Sequence, residues 1–305
     1  MVSHIADLTS HIEFVAFQEF DQSHNDKRDE SAGGRLAERR RKVNIVVLLK
    51  QVPDTETKIR IGAGGKSIDT SDIKWIISPY DEYAVEAALR LQDSAGAKVT
   101  ILSMGPERVV ESIRTALAMG ADHGVLVDDP ASEGSDALGK AKVLAAALGS
   151  MDFDLIFCGH RAVDDDENQV GIMVAELMSL PHLGLAVSIE VADGKVTIQR
   201  PIEGAKVTLE GTLPALVTFG GAHAIWNPRY ASLPGIMKAK KKPLETKTLA
   251  DLGLSAADVG AQGAKVKVTS MELPAERQAG RKLEGDTAEK AKELVRLLHE
   301  EAKVI

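Results

Sequence analysis

The densest chemistry in this 305-residue sequence lies in one run, Gly159-His160-Arg161-Ala162-Val163-Asp164-Asp165-Asp166-Glu167-Asn168-Gln169-Val170-Gly171. It precedes an apolar stretch that reads as a helix, and the free N–H groups of a helix N-terminus form an anion site. Four consecutive acids beside it would repel a phosphate through space. A phosphate here therefore requires backbone amides aimed at it and carboxylates turned aside, capping amides or meeting sugar hydroxyls. The alternative is that the acids only cap and solvate a helix start, each favourable by up to ~1 kcal/mol. His160 is either a polar loop residue or a base. Cys158, the only cysteine, sits at the end of an apolar run and reads as a buried thiol rather than a nucleophile. There is no GxxxxGK[ST], no GxGxxG after the first strand, no GxSxG and no CxxC, so phosphate transfer, dinucleotide redox, Ser hydrolysis and zinc chemistry lose their signatures. No catalytic acid–base pair and no metal-ligand set presents itself.

Such a loop needs a scaffold, and the pattern supplies one by alternating strand and helix. Residues 44–49, 98–104, 123–127 and 154–158 are short, nearly continuous apolar runs, as strands buried on both faces must be. Helices are predicted between them. One opens at Ser78 with Pro79 in its first turn, one spans 107–119 and ends at Gly120, and one spans about 135–148. A fourth runs from about 168 to 180 and is closed by Pro181. Alternation of this kind implies a doubly wound, mostly parallel sheet, and ligands bind such sheets beyond the carboxyl ends of the strands. After Pro181 the period changes. Residues 186–191 and 195–199 flank Asp193-Gly194 and read as a two-residue hairpin, and 206–209 and 215–219 add strands. A last helix is predicted over 286–303, with Asp286 and Glu289 in capping-box spacing and an apolar face of Ala291, Leu294, Val295, Leu298 and Ala302.

Composition is that of an ordinary globular chain, 44% hydrophobic and 27% charged. A net charge of -8 argues against sequence-blind nucleic-acid binding. No apolar run approaches the ~20 residues needed to span a bilayer. Residues 1–42 read differently, with three of the six Phe (Phe14, Phe17, Phe20), eight Asp and Glu, and a basic cluster at 39–42. They are too acidic for a transit peptide and lack the apolar core of a signal peptide. A disordered extension or a misplaced start codon is expected there. The expected domains are this extension, an α/β domain over 43–245 that includes an irregular basic loop at 221–243, and a C-terminal arm over 246–305.

Several motifs resemble the β subunit of electron transfer flavoprotein. They are Lys50-Gln51-Val52-Pro53-Asp54, Ser78-Pro79-Tyr80-Asp81-Glu82, Met104-Gly105-Pro106, Ala116-Leu117-Ala118-Met119-Gly120-Ala121-Asp122 and the 164–171 loop. Gln199-Arg200-Pro201-Ile202-Glu203-Gly204 and the stretch from Asn227 to Lys241 follow in the same order. The likeness covers about 43–253, with a looser tail to 305.

That resemblance implies an adenine nucleotide alpha hydrolase-like fold with an added hairpin and a C-terminal helical arm. It implies a heterodimer whose α subunit carries the redox FAD while the β subunit buries an AMP with no redox role. Electrons would pass from acyl-CoA dehydrogenases of fatty-acid β-oxidation to a membrane quinone oxidoreductase, and the chain itself would be an electron-carrier subunit rather than an enzyme. By position the nucleotide pocket falls on Leu48, Ser78, Pro79, Tyr80, Asp81, Met104, Gly159, Ala162, Val163, Asp164, Asp165, Asp166, Asn168, Gln169 and Val170. The amides of Ala162, Asp165, Asn168, Gln169 and Val170 would face the phosphate. Docking falls on Arg229, Tyr230, Leu233, Pro234, Ile236, Met237 and Lys238, with Leu233 as anchor and the lysine run either steering the partner or keeping a loop soluble. Thr55 stands where mammalian members have a tyrosine beside the flavin. The expected location is the cytoplasm of a bacterium, or the mitochondrial matrix if the source is eukaryotic. Two other readings are a bifurcating β subunit with a second FAD in place of AMP, and a stand-alone adenine-nucleotide sensor.

Overall fold

A computed structural model describes residues 13–14, 42–220, 226–275 and 280–305. Most of the expected extension (1–12 and 15–41) and the start of the expected docking loop (221–225) lie outside the described residues. The described chain begins with a two-residue strand, β1 (Glu13–Phe14). It continues as β2 (Asn44–Leu48), β3 (Gln51–Pro53), β4 (Trp75–Ile77), α1 (Pro79–Ala95), β5 (Lys98–Met104) and α2 (Val109–Met119). Next come β6 (His123–Val127), α3 (Ala137–Leu148), β7 (Leu155–Gly159) and α4 (Val170–Leu177). Five strands follow: β8 (His182–Ala186), β9 (Ser188–Ala192), β10 (Lys195–Ile202), β11 (Ala205–Thr212) and β12 (Ala215–Phe219). After them come α5 (Leu233–Ala239), β13 (Leu244–Lys247) and α6 (Gly260–Gly263).

Seven strands form one parallel sheet in the order β13-β6-β5-β2-β7-β12-β8. Its strands alternate their side chains between two cores, which explains why they read as unbroken apolar runs. Ile45 and Val47 of β2 and Leu155 and Phe157 of β7 pack with α1 and α2, through Ala84, Ala88, Ile113 and Leu117. Val46 and Leu48 of β2 and Ile156 and Cys158 of β7 pack on the opposite face with α3 and α4, through Val143, Leu144, Ala147 and Val174. Each fully buried side chain of this size contributes roughly 1.5–3 kcal/mol. The doubly wound α/β fold is as the pattern implies.

Where the structure departs from the predicted elements, the reasons are local. Residues 182–186 form β8 at the sheet edge, parallel to β12, and the hairpin begins only at Ser188. The hairpin turn is as predicted, with φ of 50° at Asp193 and 75° at Gly194, both positive as a type I′ turn requires. It belongs to a separate antiparallel sheet in the order β1-β11-β10-β9. Ser78 occupies the N-cap of α1, but its hydroxyl makes no cap bond and is buried without a partner. Helix α4 spans Val170–Leu177, shorter than predicted at both ends.

The basic run is not uniformly solvent-facing. Lys242 Nζ donates to the carbonyls of Leu117 (3.0 Å), Gly120 (3.0 Å) and Ala121 (2.6 Å), closing the C-terminal end of α2. In return Arg114 of α2 donates to Ala239 O and Lys242 O, both at 2.7 Å, at the end of α5. Lys242 therefore neither steers a partner nor solubilises a loop; it fastens α5 to α2. The compact unit that holds all this takes in residues up to Val268, and Leu249 and Val259 are buried in it.

A second unit comprises Ile59–Asp69 and Thr269–Ile305. Within it Ile61 bridges Ile68, and the Met271 N–H donates to Gly65 O at 2.8 Å. Its helix α7 (Thr287–Arg296) has the expected capping box, but a single π turn, Leu297–Glu301, replaces its predicted last turns. Leu294 and Val295 on its apolar face are exposed.

Candidate functional site

The order of the strands reverses between β2 and β7, and there the α/β rule places a ligand. A cavity of about 600 Å³ opens at that point, within the range of small-molecule sites. Its floor is the ends of β2, β5 and β7 at Leu48, Met104 and Cys158, and its rim is the loop from Gly159 to Gly171.

Asp81 holds the two central strand ends together. Its Oδ2 accepts the Lys50 N–H at 2.8 Å and its Oδ1 accepts the Gly159 N–H at 2.7 Å, so one carboxylate spans the switch point. The side chain is 5% exposed. Burial lifts its pKa to about 7, against the opposing pull of those two N–H groups and of Lys50. Gly159 can only be glycine at this junction: a Cβ there would sit 2.6 Å from Tyr80 Cβ and 2.8 Å from Asp81 Oδ1. Gly171 is similarly constrained, its absent Cβ falling 2.7 Å from Cys158 Sγ. Burial pushes the Cys158 thiol well up, so it is an inert packing residue.

Three of the four acids of the loop are paired with cations. Lys50 Nζ lies 2.8 Å from Asp164 Oδ1 and 2.6 Å from Asp165 Oδ2, and Lys140 Nζ reaches within 4.0 Å of Asp165. Burial pulls the Lys50 ammonium down, but the hydrogen bonds and charges of Asp164 and Asp165 outweigh it and leave its pKa above the ordinary value. Asp165 is held below the usual carboxylate range, the Lys50 bond and the Lys50 and Lys140 charges overcoming burial. Asp166 pairs with Arg161 at 2.8 Å, and Arg161 also donates to the Tyr80 hydroxyl at 3.1 Å. The ring of Tyr80 meets His160 edge-on at 4.6 Å, and burial lowers the His160 pKa. Asp166 and Asn168 both adopt positive φ, 55° and 53°, which turns the loop into the start of α4.

Of the residues named from sequence, Leu48, Asp81, Met104, Gly159, Ala162, Asp165, Asn168, Gln169 and Val170 line the cavity. Ser78 is fully buried under the first turn of α1. Tyr80, Asp164 and Asp166 act through Arg161 and Lys50, in the contacts above. Pro79 opens α1, and Val163 lies in the turn of the loop. Sequence reasoning missed the far wall, Asp129, Ser132, Glu133 and Ser135, which follows β6. The rule that ligands sit beyond strand ends applies to that strand too, and would have found it.

On the same compact unit, α5 presents a second feature. Tyr230 is 96% exposed, Leu233 81% and Met237 67%, with Ile236 beside them. Ser232 caps the helix by accepting the Gly235 N–H at 3.1 Å, and Pro234 sits in its first turn. Lys238 lies in its last turn. Arg229 has a different place. Its Nε donates to Glu86 Oε2 at 2.7 Å and its guanidinium also reaches Asp93 at 2.9 Å, so its charge is spent inside the chain. Among the described residues no helix is long and apolar enough to cross a membrane.

Comparison with known proteins agrees with this geometry. Residues 66–252 match the family described as the electron transfer flavoprotein domain. The chain is 42% identical over 265 residues to the electron transfer flavoprotein subunit beta of Bacillus subtilis, covering 86% of this chain and 100% of that one. It is 40% identical over 261 residues to the subunit of the same name in Mus musculus, covering 84% and 99%. It is also 35% identical over 260 residues to the acryloyl-CoA reductase electron transfer subunit gamma of Anaerotignum propionicum, covering 83% and 97%. With a cavity at the switch point, an acidic loop on its rim and these matches along most of its length, the chain belongs to the electron transfer flavoprotein family, among its beta subunits.

Proposed function

We propose that the chain is the β subunit of a heterodimeric electron transfer flavoprotein, an electron carrier rather than an enzyme. It holds AMP in the cavity between β2 and β7, while an α subunit holds the FAD. The observation that carries this is the rim loop. Among the described hydrogen bonds the N–H groups of Ala162, Asp165, Asn168, Gln169 and Val170 have no protein acceptor, and they gather where α4 begins. Three of the four acids beside them are tied to Lys50 or Arg161. That is the arrangement an anionic phosphate requires. The FAD, when bound, supplies the electron-accepting ring. This chain's residues bind and orient the nucleotide, and Asp81 fixes the strand ends that form its floor. Acid extraction of the purified heterodimer should give one FAD and one AMP. Two FAD and no AMP would overturn the reading in favour of a bifurcating β subunit. Family membership speaks against a stand-alone sensor.

The patch on α5 is the docking surface for an acyl-CoA dehydrogenase in this reading, upstream of a quinone oxidoreductase. Leu233→Ala should leave folding and flavin content unchanged, because the side chain is 81% exposed. Its affinity for the dehydrogenase should fall by about 30-fold, as for the loss of an anchor worth ~2 kcal/mol. Unaltered affinity in a binding titration, or loss of flavin instead, would refute the assignment.

A further inference from the structure

We propose that Lys50 is the positioning residue that makes this acidic loop compatible with a phosphate, by holding Asp164 and Asp165 off the ligand. The inference rests on the nucleotide reading above and deepens it. Lys50 is the second residue past β2, and its backbone N–H is fixed by Asp81. From there its side chain crosses the switch point to the loop after β7, and one ammonium meets two carboxylates, at 2.8 Å and 2.6 Å. Charge-assisted bonds of this length are directional as well as strong. They orient both carboxylates toward Lys50. Lys140 adds a weaker pull on Asp165 from α3. Lys50 and Asp165 both line the cavity, so the pair sits where the ligand's charge would be felt.

Electrostatics explains why this matters. One ammonium cancels one of the two carboxylate charges and Lys140 offsets part of the other, so the cluster repels a third negative charge far less than two bare carboxylates would. Without Lys50, two bare carboxylates stand at the rim of a half-desolvated site, where the effective dielectric is far below that of water. The other two acids are no remedy. Asp166 is already bound to Arg161, and Glu167 has no cationic partner among the described residues. Lys50 is therefore the residue whose removal adds most to the negative charge that a phosphate meets at the rim.

The test uses the heterodimer and AMP as the probe, with affinity read by calorimetry at two salt concentrations. Lys50→Met should weaken AMP binding by on the order of 30-fold at low salt. Added salt should recover part of that loss by screening the freed carboxylates. Adding Asp164→Asn and Asp165→Asn to Lys50→Met should bring affinity back to within about threefold of the wild type. Lys50→Arg should stay close to wild type, since it keeps both bonds. The double variant Asp164→Asn, Asp165→Asn in the presence of Lys50 gives an independent arm if Lys50→Met folds poorly; it should bind AMP at least as tightly as wild type. A Lys50→Met heterodimer with unchanged AMP affinity overturns the proposal while leaving the nucleotide reading intact, as does failure of the asparagine pair to rescue. A wild-type heterodimer with no affinity for AMP overturns the nucleotide reading, and the proposal with it.

Discussion

Arg229→Met should destabilise the compact unit by about 3–5 kcal/mol, the cost of leaving a buried charge without its partner. The charge in question is Glu86, whose side chain is 4% exposed on α1. It accepts Arg229 Nε at 2.7 Å, the second guanidinium nitrogen at 3.1 Å and the Arg229 backbone N–H at 3.2 Å. Arg90, 3.9 Å away, offsets only part of the loss, because that contact is longer and more exposed. For a unit of this size the shift in thermal midpoint should be about 6–20 °C. A second substitution, Glu86→Gln, made together with Arg229→Met, should return most of the stability by removing the stranded charge. A drop of less than ~1 kcal/mol in denaturant titration would mean that water reaches Glu86 and the pair is not structural. The result bears on docking. Arg229 lies four residues before Leu233, so the pair sets where α5 begins relative to α1. Partner affinity should fall in Arg229→Met through misplacement of the patch, and should stay low in the double variant, which removes the stranded charge without restoring the tether.

How much of this could be seen in the sequence depends on the range of each interaction. The strands β2, β5 and β7 were legible because burial on both faces leaves an unbroken apolar run. The rim loop was legible because acids crowd a helix start. Strand β13 was not: it lies at the sheet edge and pairs only with β6, and Leu244-Glu245-Thr246-Lys247 has neither an apolar run nor clean alternation. Strand β8 is not legible because only Val187 separates it from β9, and the sequence pattern starts the hairpin at Ala186 and assigns no strand to 182–185. The partners of the charges were out of reach altogether. Lys50 is 114 residues from Asp164, Arg229 is 143 from Glu86, and Lys242 is 125 from Leu117. No periodicity couples such pairs; only the folded sheet brings them together. The sequence thus indicated that the acids must be turned from a phosphate, but not that lysine and arginine would be what turns them.

Asp81→Ala should cost about 3–4 kcal/mol, since two N–H groups at the strand ends, Lys50 and Gly159, lose their shared acceptor, a carboxylate only 5% exposed. At pH 4 Asp81→Asn should cost less, about 1–2 kcal/mol, because an amide oxygen still accepts one of the two bonds while its NH2 faces the other donor. The comparison of wild type with Asp81→Asn also has a pH signature. Burial raises the folded-state pKa to about 7 from 3.8, so between those values the folded chain binds more protons than the unfolded one. Stability contributed by Asp81 is then fully present below about pH 4 and is lost as pH rises through about 7. Asp136 and Asp165, held low in the fold, act in the opposite direction and are common to both proteins. The informative quantity is therefore the difference in unfolding free energy between wild type and Asp81→Asn, followed by urea titration from pH 4 to pH 8. It should fall by on the order of 4 kcal/mol as pH rises from 4 toward 7, far enough to change sign, and level off above it. A difference that stays constant, or widens with pH, would show that Asp81 is ionised throughout and that the N–H groups of Lys50 and Gly159 outweigh its burial.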